Sequence, residues 1–228
     1  MRARRCEGLT ALIIDRAAFV RANTSVLAPP LVPEVKLHLA HEAMPIWQKT
    51  EDEMGEMGLP PPFWAFAWAG GQALARHVLD NPEIVRGRSV LDLASGSGLV
   101  GIAAMKAGAG SVLAADIDEF SQVAIGLNAA LNDVAMERAT GDLLARPAGR
   151  FDVILAGDLF YEKSLAERCF AWLAEAQTRG TDVLIGDPGR SYLPKDKLEK
   201  IAEYSVPVSR DLEDAEIKRS CVWRLRNC

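Results

Sequence analysis

The 228-residue chain is 49% hydrophobic and 25% charged, with a formal net charge of -5, the balance of an ordinary globular protein large enough to bury a sizeable core. The acidic balance argues against a duplex nucleic-acid binder, which presents excess Lys and Arg to phosphates. Cys6, Cys169, Cys221 and Cys228 form no Cys-x-x-Cys pair, so neither a zinc site nor a disulfide framework is indicated and reduced thiols in a cytosol are expected.

No apolar run reaches the length of about 18 residues that a spanning helix needs. The start, MRARRCEGLTALIIDRAAFVRAN, is Arg-rich and amphipathic but carries Glu7 and Asp15, so it reads as a native helix rather than an organelle leader. LAPPLVPEVKLHLA reads as extended chain and HEAMPIWQKTEDEMGEMG as a polar connector whose acids are solvated. His38 and His41 lie three apart without an acid or cysteine at ligand spacing, and no metal is assigned. His77 reads as a surface residue. The prolines at 60 to 62 mark a soft boundary, giving an N-terminal extension over 1–62, a candidate substrate-contacting part, and one domain over 63–228.

Within that domain a helix is expected from Gly70 to Leu79. A strand-turn-helix alternation follows: SVLDLA, LVGIAAMKAGA, SVLAADI, EFSQVAIGLNAALND, a short strand near Ala139 to Asp142, FDVILAGD, a helix from Ser164 to Thr178, DVLIGD, and a helix from Lys195 to Tyr204. Continuous apolar strands alternating with helices imply a mostly parallel α/β sheet covered on both faces. The tail, SVPVSRDLEDAEIKRSCVWRLR, reads as an antiparallel hairpin closing one edge.

LDLASGSGLVG places Gly96, Gly98 and Gly101 between a strand and a helix, where glycines permit a tight turn, close backbone approach to a ligand and a helix N-terminus with free N–H groups. A nicotinamide dinucleotide is served as readily as S-adenosylmethionine, and a bare tight turn is the bland alternative. Three acids at successive strand ends bear on the choice. Asp92 precedes the turn and can attract a ligand ammonium. Asp116 stands at the spacing of an acid that accepts ribose hydroxyls, and Asp142 can accept from an adenine amino group. Singly, each is as well explained as a cap or turn former. Together, converging beyond the carboxyl ends of the strands, they would repel a pyrophosphate and tolerate a sulfonium zwitterion, which favours S-adenosylmethionine.

LDLASGSG, AADID and the late hairpin resemble the class I methyltransferases, of seven-strand Rossmann-like fold. More narrowly, PPFWAFAWAGGQALARHVLDNP, GDLFYE and VLIGDPGR together are similar to the electron transfer flavoprotein β-subunit lysine methyltransferases. The resemblance implies S-adenosyl-L-methionine as methyl donor, S-adenosyl-L-homocysteine as product, and lysines of the electron transfer flavoprotein β subunit as acceptors, with a ribosomal protein L11 methyltransferase as the alternative. It also implies an Asp-x-x-Tyr acceptor motif at Asp158 and Tyr161, whose ordinary alternative is a helix cap beside a core aromatic. Asp158 would fix the amine, Tyr161 would wall the channel, and Phe160 and Trp64 would offer aromatic surface to a methylated ammonium. Trp68 is a candidate for packing over the cofactor, and Asp187 either faces the acceptor pocket or caps its turn. Asn-Pro-Pro-Tyr, typical of enzymes that methylate amides and nucleobase amines, is replaced by Asp-Leu-Phe-Tyr. In a bacterial host this family is expected in the cytoplasm, and in a eukaryote in mitochondria.

Overall fold

A computed structural model describes residues 15–40, 61–207 and 217–226. His41, the acidic connector and residues 1–14 of the expected N-terminal helix lie outside the described residues. That helix is present as α1 (Arg16–Ala22), capped by the Asp15 carboxylate, which accepts the Ala18 N–H at 3.0 Å. The extended stretch after it forms two short antiparallel strands, β1 (Ser25–Leu27) and β2 (Leu37–Leu39).

The domain proper runs α2 (Ala69–Asp80), β3 (Ser89–Leu93), α3 (Leu99–Lys106), β4 (Ser111–Asp116), α4 (Glu119–Leu131), β5 (Glu137–Thr140), β6 (Val153–Gly157), α5 (Lys163–Thr178), β7 (Asp182–Asp187), β8 (Leu198–Pro207) and β9 (Ile217–Leu225). Seven strands form one sheet in the order β5-β4-β3-β6-β7-β9-β8. It is parallel except at β9, which runs antiparallel to both neighbours. The chain leaves β3 outward through β4 and β5, then returns to β6 on the other side. The sheet thus has a topological switch point at the carboxyl ends of β3 and β6, where open α/β sheets bind ligands.

The central strands β3, β6 and β7 are largely apolar and buried because both of their faces are covered. In β6, Val153 and Leu155 enter one core cluster with Leu74 and Ala103, while Ile154 and Ala156 enter the opposite one with Cys169 and Leu173. A third cluster joins Val20 of α1 to Trp64, Phe66 and Phe120. Among the described residues, no helix is long and apolar enough to cross a membrane.

Two expectations are corrected. Residues 195–204 are not a helix: Lys195–Lys197 make one 3-10 turn and the chain then enters β8, paired with β9 from Leu198↔Leu225 to Pro207↔Ile217. Lys, Glu and Ala favour helix locally, but the main-chain groups of β9 need partners on both sides, and that demand overrides a weak propensity. The charges of Glu199, Lys200 and Glu203 then protect an edge strand. The short fifth strand ends at Thr140, so Asp142 caps the following 3-10 turn instead of closing the strand.

Helix α2 reaches the site because glycines let two backbones touch. A Cβ on Gly186 would overlap the Gly70 carbonyl oxygen and stand 2.7 Å from the Leu74 Cβ, and one on Gly70 would be 2.6 Å from Asp158 Oδ2. Gly186→Ala is expected to lower unfolding stability by about 2–3 kcal/mol, read from urea denaturation, because neither backbone can withdraw without unseating the helix.

Candidate cofactor and acceptor site

The switch point opens into a cavity of about 1100 Å³ lined at one end by Gly96, Asp116, Asp118 and Asp142 and at the other by Trp68, Asp158, Tyr161 and Arg190. After β3 the chain turns through positive φ at Ala94 (52°), Gly96 (55°) and Gly98 (85°) before α3 begins. Space is open at Gly96, where an added Cβ would meet nothing within 4 Å. A ligand can therefore lie against the bare backbone.

Asp92 is not on the cavity wall. It is buried beneath the turn, where its Oδ2 accepts the Ser95 hydroxyl and the Gly101 N–H, the latter at 2.9 Å. It therefore braces the turn from inside and lies off the cavity wall, whereas the expectation from sequence has it attracting the ligand's ammonium directly or through water. Burial pushes its carboxyl up to about 7. Gly98 also turns away from the cavity, facing Ile125, and serves as the left-handed N-cap of α3.

Asp116 does face the cavity. Its Oδ2 accepts the Gly96 N–H at 2.8 Å and its Oδ1 the Asp118 N–H at 3.0 Å, so the second strand end and the glycine turn are fixed to each other. Burial raises its carboxyl from the ordinary value, while these hydrogen bonds oppose the rise. Asp142 also lines the cavity but is exposed. It pairs with Arg168 at 2.6 Å, and that partner holds its carboxyl below the usual range. The N-terminal part closes this end: Arg16 pairs with Glu119 and lies 5.6 Å over the Phe120 ring.

At the other end, β6 stops at Gly157 and Asp158 takes a left-handed conformation, φ 57°. Its N–H donates to Gly186 O at 2.9 Å. Its side chain is only 10% exposed. Oδ2 accepts the Gly71 N–H at 2.7 Å, and Oδ1 accepts Arg190 Nη2 at 3.0 Å and Nε at 3.3 Å. Burial raises this carboxyl, opposed by the Arg190 charge and the amides at the start of α2.

Tyr161 stands half exposed on the cavity wall beside Phe63, ring centroids 5.9 Å apart, and desolvation keeps its phenol protonated. Trp68 also lines this end. Its Nε1–H donates to Phe63 O at 3.0 Å, and Arg190 lies 5.7 Å over its ring.

Two expected substrate contacts lie elsewhere, and Asp187 takes the turn-capping alternative. Trp64 is buried and stacks on Phe120, ring centroids 6.2 Å apart. Phe160 is buried in the cluster that covers α5. Successive residues on an extended turn face opposite ways, so Phe160 enters the core where Tyr161 faces out. Asp187 is fully buried. Its Oδ1 accepts the N–H groups of Gly189 and Arg190, each at 2.7 Å, and its Oδ2 has no hydrogen-bond partner among the described residues. It shapes the turn that carries Arg190, and burial pushes it up to about 6.

Phe63, Arg168 and Arg190 were not singled out from sequence. Only Arg190, inside VLIGDPGR three residues after Asp187, gave a usable signal. His38 and His77 are partly buried and hydrogen-bonded to Thr24 and Tyr204.

An adenosyl ligand fits these groups. Open backbone at Gly96 and the Asp116 carboxylate suit a ribose, and Leu93, Ala115, Ile117 and Leu143 supply an apolar wall for a base. The acids at the turn oppose a pyrophosphate. Asp116→Ala is expected to weaken S-adenosyl-L-homocysteine binding by about tenfold or more in calorimetry, through the loss of charged acceptor bonds.

Asp92 gives a pH signature. Its folded value near 7 exceeds the unfolded value of about 3.9. The folded chain therefore holds a proton that the unfolded chain releases, and the associated stability is lost as pH rises through the folded value. Asp92→Asn should gain on the order of 2 kcal/mol over wild type between about pH 5 and about pH 8 in urea unfolding.

The chain is similar to known proteins. The family model for ribosomal protein L11 methyltransferase (PrmA) matches residues 73–161. Electron transfer flavoprotein beta subunit lysine methyltransferase of Mus musculus is 40% identical over 213 residues, covering 90% of this chain and 82% of that one. The Homo sapiens protein of the same name is 39% identical over 90% of this chain and 80% of its own. Among solved structures, ribosomal protein L11 methylase from Lactobacillus delbrueckii subsp. bulgaricus superposes with a TM-score of 0.51 at 24% identity, over 71% of this chain and 81% of that chain. The fold is that of a class I methyltransferase, and the cofactor is S-adenosyl-L-methionine. With identity sustained over nine-tenths of its length, this chain is an enzyme that belongs to the electron transfer flavoprotein β-subunit lysine methyltransferase family.

Proposed function

We propose that this enzyme transfers methyl groups to lysine side chains of the electron transfer flavoprotein β subunit. The observation that carries the reading is the placement of Asp158. Strands β3 and β6 are neighbours, with Leu93 opposite Ala156, so the glycine turn and the Asp158 turn leave the sheet side by side at one end. A carboxylate thus stands across one cavity from the cofactor cradle, walled by Tyr161, Phe63 and Trp68.

When bound, S-adenosylmethionine supplies a methyl carbon made electrophilic by its sulfonium. Gly96 and Asp116 would hold the ribose, with Asp142 lining the same end of the cavity. The chain's own work at the acceptor end is orientation. A lysine nitrogen can attack only as the free amine and only in line with the departing sulfur. Asp158 accepts hydrogen bonds from the amine and fixes its direction. Tyr161 and Phe63 wall the channel with ring surface that favours a methylated ammonium, which suits repeated rounds. The half-exposed Tyr161 leaves a path by which the amine's proton passes to water, so no dedicated base is needed.

Incubation with the recombinant β subunit and radiolabelled cofactor should label lysines of that protein. Absence of label from an enzyme that binds S-adenosyl-L-homocysteine would refute the substrate, and label in ribosomal protein L11 instead would replace it. Asp158→Asn should reduce kcat by about 100-fold or more while leaving S-adenosyl-L-homocysteine affinity within about threefold, because the change removes the acceptor's anchor and spares the glycine turn.

A further inference from the structure

The carboxylate assigned to the acceptor is already fully engaged. Asp158 has two oxygens and about four lone-pair directions. Oδ2 takes the Gly71 N–H at 2.7 Å, with the Gly70 N–H also bonded to the carboxylate. Oδ1 takes both Nη2 and Nε of Arg190. An amine that is to bond Oδ1 must therefore stand where the guanidinium now stands.

Arg190 is suited to leave. Its side chain is 21% exposed against 10% for Asp158, and it lies on the cavity wall over its partner. Its backbone is anchored by Asp187, whose Oδ1 takes the Arg190 N–H at 2.7 Å, so the base of the side chain is fixed where the residue lines the cavity. The Trp68 face, 5.7 Å from the guanidinium carbon, offers the cation support that does not depend on the carboxylate.

We propose that Arg190 is a gate on the acceptor site, its guanidinium holding Asp158 until a substrate lysine takes its place at Oδ1 and the guanidinium withdraws along Trp68. The inference rests on the methyl-transfer reading above. The exchange replaces one cation beside a buried carboxylate with another, so the carboxylate keeps a cationic partner until the lysine gives up its proton. Neutral or short side chains cannot make that exchange, and the gate thereby selects a long aliphatic cation. No covalent bond changes. Proton loss from the lysine follows the exchange, towards the exposed side of Tyr161.

Arg190→Ala removes the resident competitor. In steady-state assays with the full chain and the recombinant β subunit, KM for the protein substrate should fall by roughly fivefold, as expected when a competent state no longer has to be opened. Methylguanidinium should inhibit the variant competitively against the protein substrate and leave wild type unaffected. Arg190→Lys should shift KM in the same direction but less. A raised or unchanged KM in both variants, or methylguanidinium that restores lost activity instead of inhibiting, would overturn the gate and make Arg190 a fixed support of Asp158. S-adenosyl-L-homocysteine calorimetry verifies that each variant is folded, and if the alanine variant is not, the lysine variant decides by the same KM criterion. A wild type inactive on the β subunit would count against the substrate alone. Calorimetry would then still test the gate, since methylguanidinium must bind Arg190→Ala and not wild type, and failure to bind the variant would refute it.

Discussion

A single buried anion organises one end of the cavity. The Asp158 carboxylate sits under the N-terminus of α2, where the Gly71 N–H meets it at 2.7 Å, and against the Arg190 guanidinium. An unpaired carboxylate at this depth would be prohibitive, so its partners have to come to it. Gly70, Gly71, Gly157 and Gly186 permit this, since side chains at Gly70 and Gly186 would hold α2 away from β7 and leave the anion short of donors. Helix, strand ends and acid therefore form one unit. The left-handed φ of Asp158 is part of that unit and aims the carboxylate back at the helix.

The remaining acids divide by environment. Asp92 and Asp187 are fully enclosed, with values raised to about 7 and about 6, and each braces a turn from within. Asp116 and Asp142 line the cavity, and Asp142 is held low by Arg168. Asp92 and Asp187 only shape backbone, whereas Asp116 and Asp142 fix turns and also face the cavity, and the guanidiniums of Arg16, Arg168 and Arg190 each compensate an acidic partner around the same opening.

Much of this was legible in sequence, for identifiable reasons. The glycine turn and Asp116 could be read because strand, turn and helix leave strict spacing, and Asp158 because its motif is short and contiguous. Trp64 and Phe160 could not be placed, because an aromatic residue's type does not tell whether it faces core or cavity. Tyr161 and Phe160 are adjacent yet point opposite ways. Asp142 missed its strand end by a boundary of two residues, and Asp92, correctly noticed, proved to be an internal brace because depth below a turn leaves no mark in sequence. The helix expected over 195–204 failed for a tertiary reason: its Lys, Glu and Ala are good helix formers, and pairing with β9 outweighs them.

The position of β9 has a temporal consequence. It lies between β7 and β8, although it is synthesised after both. While the chain emerges from the ribosome at about 5–20 residues per second, β7 presents an open hydrogen-bonding flank beside the turn that bears Arg190, and β8 has no neighbour with which to pair. The sheet is completed only when β9, paired with β8, meets the free flank of β7. The part of the sheet beside the Arg190 turn is therefore completed only after β8 and β9 have been made, whereas β3 and β4, which carry the glycine turn and Asp116, can pair earlier.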